Sequence, residues 1–198
     1  MNNNVMHNIS YGLYVLTARE GDQHNGCIFN TLQQVTTKPN KVSITVSKEN
    51  FTHDMIMKTG EFNVSIISET ADFDMFKHFG FQSGRDVNKF ADYPMGISDN
   101  GLAYLVNHAN GYVSGKVISS TDLGTHTLFI ADVTGGEVLN EESSATYDYY
   151  HQNIKVAPAP ESKGWVCKIC GYVHEDADLP ADFVCPWCKH GASDFERK

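Results

Sequence analysis

Four cysteines within the last 32 residues constrain the fold of this chain more than any other feature. They form two Cys-x-x-Cys pairs, with 14 residues between the pairs. Two residues between ligands allow one tight turn to direct both sulfurs at the same point. Two such turns facing each other form a tetrahedron of thiolates, which binds zinc or iron. The spacing therefore predicts a metal site with the ligands Cys167, Cys170, Cys185 and Cys188.

Two disulfides are the alternative pairing of these cysteines. We expect thiolates instead, because the chain starts with Met1-Asn2-Asn3-Asn4 and shows neither the basic nor the apolar region of a signal peptide. Reducing compartments disfavour disulfides. No apolar run approaches the ~20 residues that span a bilayer, so we expect a cytoplasmic protein that does not bind a membrane.

The cysteine-rich segment predicts a separate small domain. It has 35 residues, 164–198, and a unit below ~40 residues usually needs a metal or disulfides to fold. Ahead of it, residues 156–163 carry two prolines alternating with alanine, which favours an extended spacer over an ordinary surface loop. We predict a first domain over 1–155, a linker over 156–163 and a metal domain over 164–198. The remaining cysteine, Cys27, is most simply a small buried apolar residue.

The charge of the chain argues against one class of partner. A protein that binds the phosphates of nucleic acid needs an excess of lysine and arginine. This chain has 24 acidic and 15 basic residues, a net charge of -9. We therefore expect no nucleic-acid partner.

The pattern of residues 1–155 predicts a fold that is mainly β with some helix. Runs rich in β-branched and aromatic residues predict strands over 12–18, 42–47, 61–67, 112–118 and 126–133. Turn residues lie at 20–22, 38–40, 99–101 and 135–136. Helices are expected over 52–59 and 69–79. Many short strands with few helices indicate a closed or sandwiched β architecture.

The residues around the four cysteines favour iron over zinc. The segment is rich in aromatic side chains, which limit the access of water to a metal: Trp165, Tyr172, Phe183, Trp187 and Phe195. Trp-x-Cys-x-x-Cys-Gly-Tyr at 165–172 and Cys-Pro-x-Cys at 185–188 resemble rubredoxin, in the short-loop form found at the end of rubrerythrins. The resemblance implies one iron in four thiolates and transfer of single electrons; a zinc ribbon is the alternative. The family usually has glycine after the fourth cysteine, where this chain has Lys189.

Neither a Gly-x-Gly-x-x-Gly motif nor a P-loop occurs in the chain, so any nucleotide cofactor is bound in another way. Three polar segments could contribute, at 25–31, 47–53 and 83–85. Hydroxyls, amides and a lysine at the start of the predicted helix could bind a phosphate. Arg85 can bind a phosphate through two N–H groups. Taken singly, each segment is also compatible with a solvated turn or a helix cap.

Together, and in this order, these segments resemble the flavin reductase-like domain over about residues 5–150. The matching pieces lie at 11–17, 25–31, 48–53, 79–85, 89–90 and 124–126. The resemblance implies a split β-barrel that binds FMN and forms a homodimer. It implies that FMN and its phosphate are surrounded by Asn30, Thr31, Lys48, Asn50, Thr52 and His53, and closed over by Ser83, Gly84 and Arg85.

The resemblance also implies a catalytic position for His126, near the isoalloxazine edge where a nicotinamide or an electron partner approaches. The family commonly has Gly-Asp-His where this chain has Gly124-Thr125-His126, so the histidine is kept and the aspartate is not. An exposed histidine without a role is the alternative.

The chain as a whole resembles the two-domain flavin reductase–rubredoxin proteins, also called high-molecular-weight rubredoxins. The resemblance implies an oxidoreductase that passes electrons from NADH or NADPH through FMN to the iron and on to a partner, typically a flavodiiron protein that reduces dioxygen or nitric oxide. A short spacer raises the effective concentration of one site at the other. The alternatives are a flavin reductase that releases reduced FMN, and a non-enzymatic binding protein with a structural zinc ribbon.

Overall fold

The structure is a computed structural model, and it describes residues 3–155, 164–169, 171–176 and 178–197. The predicted linker over 156–163 and the predicted metal ligand Cys170 lie outside the described residues.

Nine strands lie within residues 3–155. They are β1 Tyr14–Glu20, β2 Gln23–Phe29, β3 Leu32–Thr37, β4 Asn40–Ser47, β5 Glu61–Ile67, β6 Met95–Ile97, β7 Ala103–Leu105, β8 Ala109–Asp122 and β9 His126–Val138. Seven of them form one antiparallel sheet in the order β2-β1-β5-β8-β9-β4-β3, and β6 pairs with β7. The expected fold, mainly β with some helix, is confirmed.

The helices are few and short. They are α1 Phe51–Thr59, α2 Phe73–Gly80 and α3 Tyr147–Tyr149, which continues as a π-helical turn over Tyr150–Ile154; a 3-10 turn covers Asn3–Asn8. The helix predicted over 69–79 begins later, at Phe73, because the Asp72 carboxylate caps it by accepting a hydrogen bond from Met75 N at 2.9 Å. Among the described residues, no helix is long and apolar enough to cross a membrane.

The turn predicted at 135–136 is wrong, because both glycines lie inside β9. Gly135 pairs with Ser114 and Gly136 with Val113, next to a bulge at Thr134 of β9. A Cβ on Gly136 would lie 2.7 Å from the Tyr112 carbonyl oxygen. The glycine therefore permits a close approach of two strands and does not end one.

Two apolar clusters cover the two faces of the central strands. The inner cluster contains Leu16, Ile44, Phe62 and Phe129 from the sheet and is completed by Met55 of α1. On β4 the inward positions alternate, as a half-buried strand requires. The position of α1 against this cluster places its first residues at the rim of the barrel.

The outer cluster holds α2 against the other face of the same sheet. Met75, Phe76 and Phe79 on one side of α2 pack with Val15 and Ile67. This packing fixes where α2 ends, and the segment that follows the helix, residues 81–90, therefore has a defined position beside the start of β2 and α1.

Buried polar side chains join the β6–β7 hairpin to the sheet. Asn63, fully buried on β5, donates through Nδ2 to Ser98 Oγ at 2.7 Å and to the Leu102 carbonyl at 3.1 Å. Its Oδ1 accepts from Asn100 Nδ2 at 3.0 Å. Thr17 donates to the Ala103 carbonyl at 2.6 Å. These bonds set the position of the hairpin.

The C-terminal module forms its own small sheet. Its strands are β10 Trp165–Cys167, β11 Val173–His174 and β12 Phe195–Arg197, in the order β11-β10-β12. The buried residues described at its centre are Cys167, Cys185 and Phe195. Two of these three are predicted metal ligands, so the module has little apolar core apart from the metal site.

Replacement of Asn63 by alanine tests the buried network. We expect N63A to lower the free energy of unfolding by about 2–3 kcal/mol, because Ser98 and Asn100 each lose a buried partner. Urea denaturation measures the loss. The matched control is Q34A. The exposed Gln34 amide donates to Asn40 on the surface, and its removal should lower the free energy of unfolding by less than about 0.5 kcal/mol. Equal effects of the two variants would contradict the structural role of the network.

Candidate functional site

Three of the four predicted metal ligands converge in the C-terminal module. The sulfurs of Cys167, Cys185 and Cys188 all lie within 4.8 Å of one another, and those of Cys167 and Cys188 are 3.5 Å apart. A tetrahedral site with metal–sulfur bonds of ~2.3 Å separates its sulfurs by roughly 3.8 Å. The three thiols are unoxidised and suitably spaced, so this donor set fits an iron or zinc ion.

Two equivalent turns present these sulfurs. In the first turn, Gly171 N donates to the Cys167 carbonyl at 2.8 Å, and Gly171 has φ +82°. In the second, Lys189 N donates to the Cys185 carbonyl at 3.0 Å, and Lys189 has φ +62°. The departure from glycine at position 189 therefore leaves the turn intact, and the lysine adopts the left-handed conformation that glycine adopts more easily.

Aromatic rings surround the metal site and connect it to the barrel. Tyr172 contacts Trp187 edge to face, with ring centroids 5.4 Å apart, and Phe183 contacts Phe195 at 5.3 Å. Trp187 also stacks on Phe81, which follows α2, at 5.9 Å and an interplanar angle of 16°. The module is thus in direct contact with the segment that follows α2.

A second contact between the two parts involves a lysine at the end of the π-helical turn. Lys155 Nζ donates to the backbone carbonyls of Lys168, at 3.1 Å, and of Ile169. These carbonyls belong to the first metal-binding turn. Contacts on both turns therefore hold the module against the barrel.

A cavity lies where the two parts meet. Its walls come from β2, from the start of α1, from the segment after α2 and from the second metal-binding turn. The lining residues are Asn25, Cys27, Glu49, Asn50, Phe51, Gly80, Phe81, Gln82, Ser83, Gly84, Lys89, Trp187, Cys188 and Lys189. One predicted metal ligand, Cys188, therefore lies in the wall of the same cavity as three predicted flavin-binding residues: Asn50, Ser83 and Gly84.

One side chain that lines the cavity has a buried hydrogen-bond acceptor without a partner among the described residues. Asn25 is almost fully buried and donates through Nδ2 to Thr52 Oγ1 at 2.9 Å, but its Oδ1 has no hydrogen-bond partner among the described residues. Gly84 approaches this oxygen so closely that a Cβ on Gly84 would lie 1.9 Å from it. A buried orphan acceptor is costly unless a ligand satisfies it, and a ring N–H or a hydroxyl of a flavin would do so.

A hydrogen-bonded chain lies behind this wall. His53 contacts Asp54 Oδ1 through Nδ1 at 3.0 Å and Thr127 Oγ1 through Nε2 at 2.9 Å. Arg85 Nη2 donates to Asp54 Oδ2 at 2.7 Å. Hydrogen bonds from Arg85 and His53 lower the pKa of Asp54. Because the Asp54 carboxylate accepts from both, it ties the segment after α2 to α1.

A buried lysine supplies positive charge at the floor of the cavity. Lys89 is 3% exposed, and its Nζ donates to the carbonyls of Gly26 and Phe79, each at 2.8 Å. Burial lowers the pKa of Lys89 to about 8, so the side chain remains mostly cationic at pH 7. Burial raises the pKa of its neighbour Cys27, which is therefore a neutral thiol, as expected for a buried apolar residue.

Seven predicted flavin-site residues do not line this cavity: Thr52, His53 and Arg85, which lie behind its wall, and four others. Thr31 Oγ1 donates to the Thr45 carbonyl at 2.6 Å, and Lys48 Nζ pairs with Asp122 at 2.7 Å. Asn30 is half-buried just after β2, and His126 is exposed at the start of β9. Contacts of these seven residues with a flavin remain predictions.

Sequence reasoning missed several residues of the cavity as site residues. Asn25 and Lys89 lie in segments that carry the resemblance, so a signal for them existed in the sequence. The same holds for Phe81, which lies in the matching piece 79–85. Trp187 and Lys189 reach the cavity through packing between the two parts of the chain. Because that packing is tertiary, residue spacing contains no signal for these two.

Comparison with known proteins finds relatives of both parts of the chain. Residues 6–158 match the family model of the flavin reductase like domain, and residues 165–196 match the rubrerythrin, rubredoxin-like domain. The chain is 34% identical to a high molecular weight rubredoxin of Moorella thermoacetica, with 100% of each chain covered. It is also 34% identical to a ferric-chelate reductase (NAD(P)H) of Archaeoglobus fulgidus, over 72% of this chain and 85% of the relative.

A solved structure shows the same fold at low identity. An FMN-binding protein from Thermus thermophilus superposes with a TM-score of 0.61 at 21% identity, over 67% of this chain and 74% of that one. The match covers the barrel architecture. From the family matches and the full-length relative, this chain belongs to the flavin reductase-like family of flavin-linked oxidoreductases and carries a rubredoxin-like metal domain after its flavin reductase-like domain.

Proposed function

We propose that this protein passes electrons from NADH or NADPH, through FMN held in the cavity, to an iron bound by Cys167, Cys170, Cys185 and Cys188. The iron then delivers single electrons to a partner protein, such as a flavodiiron protein that reduces dioxygen or nitric oxide. The domain boundaries that accompany this proposal are 1–155, 156–163 and 164–198.

One observation carries the proposal: Cys188 lies in the wall of the cavity that contains Asn50, Ser83 and Gly84. A ligand in the cavity would therefore contact Cys188, one of the residues proposed to bind the metal. A flavin accepts a hydride as two electrons and a four-thiolate iron accepts one electron at a time, so the two cofactors together convert hydride transfer into single-electron delivery.

The side chains of the cavity have separate tasks in binding a flavin. Asn25 Oδ1 accepts a hydrogen bond from the ligand, and Gly84 packs directly against that oxygen because it has no Cβ. Lys89 supplies a buried positive charge that favours an electron-rich ring. The cavity encloses about 190 Å³. Typical small-molecule pockets enclose ~300–1,000 Å³, so a bound FMN extends beyond the enclosed part or widens it.

The metal module contributes a shell that limits solvent. Tyr172, Phe183, Trp187 and Phe195 pack around the thiolates, and apolar surroundings of this kind influence a metal's redox potential. With an electron route supplied by two cofactors, the barrel needs no acid–base residue, although His126 remains a candidate for the approach of the nicotinamide.

Partner and assembly belong to the same proposal. The Archaeoglobus relative is named as a reductase that uses NAD(P)H, which supports a pyridine nucleotide as donor here. The net charge of -9 suits a partner with a basic docking surface. A homodimer is proposed on the resemblance to the family.

An anaerobic stopped-flow experiment tests the electron route. On mixing the FMN- and iron-loaded protein with NADH or NADPH, we expect flavin absorbance to decrease first and ferric–thiolate absorbance to follow. A colourless zinc protein without turnover would favour the non-enzymatic alternative. Reduced FMN that elutes separately on gel filtration, with iron left oxidised, would favour the reductase that releases flavin.

A variant at Gly84 tests the flavin site. In G84A the new methyl group meets Asn25 Oδ1, so we expect FMN affinity to fall about tenfold or more, as the loss of one buried hydrogen bond would cause. The control is G191A, where a Cβ meets nothing within 4 Å. Fluorescence titration of the apoprotein with FMN measures both. Unchanged FMN affinity in G84A would contradict this location of the site.

Removal of the metal tests the role of the thiolates in folding. Both tryptophans of the chain, Trp165 and Trp187, lie in the metal module, so their emission reports on the module alone. We expect a strong chelator to shift this emission to longer wavelength, while the β signal in far-UV circular dichroism is retained, because a module this small folds with its metal. Metal loss without any change in emission would show that the module folds without it.

A further inference from the structure

The second metal-binding turn carries a lysine where its counterpart carries glycine. We propose that Lys189 is a binding residue of the cavity: its ammonium binds the phosphate of the ligand held there, so that the metal module forms part of the flavin or nucleotide site. This inference rests on the proposed function, since it takes the cavity as the place where these ligands bind.

The backbone conformation of the turn does not require a lysine at position 189. The equivalent turn around Gly171 uses the same hydrogen bond and the same sign of φ. A side chain disfavours that conformation, and glycine would adopt it without strain. The reason for a long cationic side chain at position 189 must therefore lie in what the side chain reaches.

The packing places this side chain at the cavity. Trp187 stacks on Phe81, and this contact brings the second turn to the mouth of the cavity, where Lys189 lines the wall beside Cys188. Lys189 forms no ion pair or side-chain hydrogen bond within the part of the chain that the structure describes. Its ammonium is available for a ligand.

The opposite wall is suited to an anion as well. Asn50 and Phe51 are the first residues of α1, and the Asn50 side chain makes no capping hydrogen bond, so the positive end of the helix faces the cavity. Lys89 adds positive charge at the floor, and Glu49 is the one carboxylate among the lining residues described. The orphan oxygen of Asn25 separately indicates that a ligand completes this cavity.

Two sources can supply the phosphate: FMN, or the pyridine nucleotide. The experiment compares the full-length, metal-loaded protein with K189N and K189G, two residues that tolerate the left-handed turn. FMN and riboflavin, which lacks the phosphate, are titrated into the flavin-free protein by fluorescence. The KM for NADH and for NADPH is measured on the reconstituted protein. The absorption of the metal–thiolate centre verifies that each variant folds.

If Lys189 binds the FMN phosphate, the dissociation constant for FMN should rise about tenfold in both variants while that for riboflavin stays constant. If it binds the nucleotide, KM should rise and FMN affinity should not. The control is K168N. Lys168, like Lys189, directly follows a cysteine of the metal module, but its Nζ donates to the Ser193 carbonyl within the module and Lys168 does not line the cavity.

Unchanged FMN and nucleotide binding in the Lys189 variants, or equal losses for FMN and riboflavin, would overturn the inference. So would an equal loss in K168N, since that would reflect net charge alone. If the parent protein does not bind FMN, the proposed function itself fails, which is a different result.

Discussion

The stacking of Trp187 on Phe81 is the contact on which the functional arrangement depends. The position of each ring is set by the part of the chain that carries it. Phe81 follows α2, whose apolar face packs on the sheet. Trp187 lies between two predicted metal ligands of the second turn. The contact converts two separately folded parts into one site, because it brings Cys188 into the wall of a cavity that the barrel alone would leave open. Without this contact, the proposed electron transfer between the parts would depend on encounters limited only by the predicted linker.

The cavity also contains groups whose local energies are unfavourable without a ligand. Asn25 buries an unpaired oxygen, Lys89 buries a charge, and Lys189 adopts a left-handed conformation that costs a non-glycine residue about 1–2 kcal/mol. Elsewhere in the barrel, buried polar groups such as Asn63 are fully satisfied. A second left-handed non-glycine residue, His108, and a second buried atom without a hydrogen-bond partner, His174 Nε2, lie elsewhere among the described residues. The cavity differs because it combines three such groups, which is typical of a ligand site.

Strands with a clear alternating pattern were predicted close to their observed bounds. The prediction over 61–67 coincides with β5, and that over 42–47 falls within β4. Strands β2, β3, β6 and β7 were missed. An exposed strand such as β3, or a three-residue strand such as β6 or β7, has little apolar periodicity, and β2 begins with the polar residues Gln23, His24 and Asn25. The two glycines inside β9 were misread as a turn, since glycine also permits close strand contact.

By itself the sequence predicted a metal site with four cysteine ligands, three of which the structure brings together, and it determined the mainly β class of the first part and the family resemblance, because these depend on spacing and local pattern. The tertiary structure alone decided that the metal turn lies at the cavity, that Asn25 and Lys89 line it, and that Lys189 faces it. The physical reason is that these residues meet through packing between segments as far apart in the chain as residues 25 and 189. Contacts of that range are set by the burial of apolar surface on α2 and the sheet, and not by the neighbours of each residue in sequence.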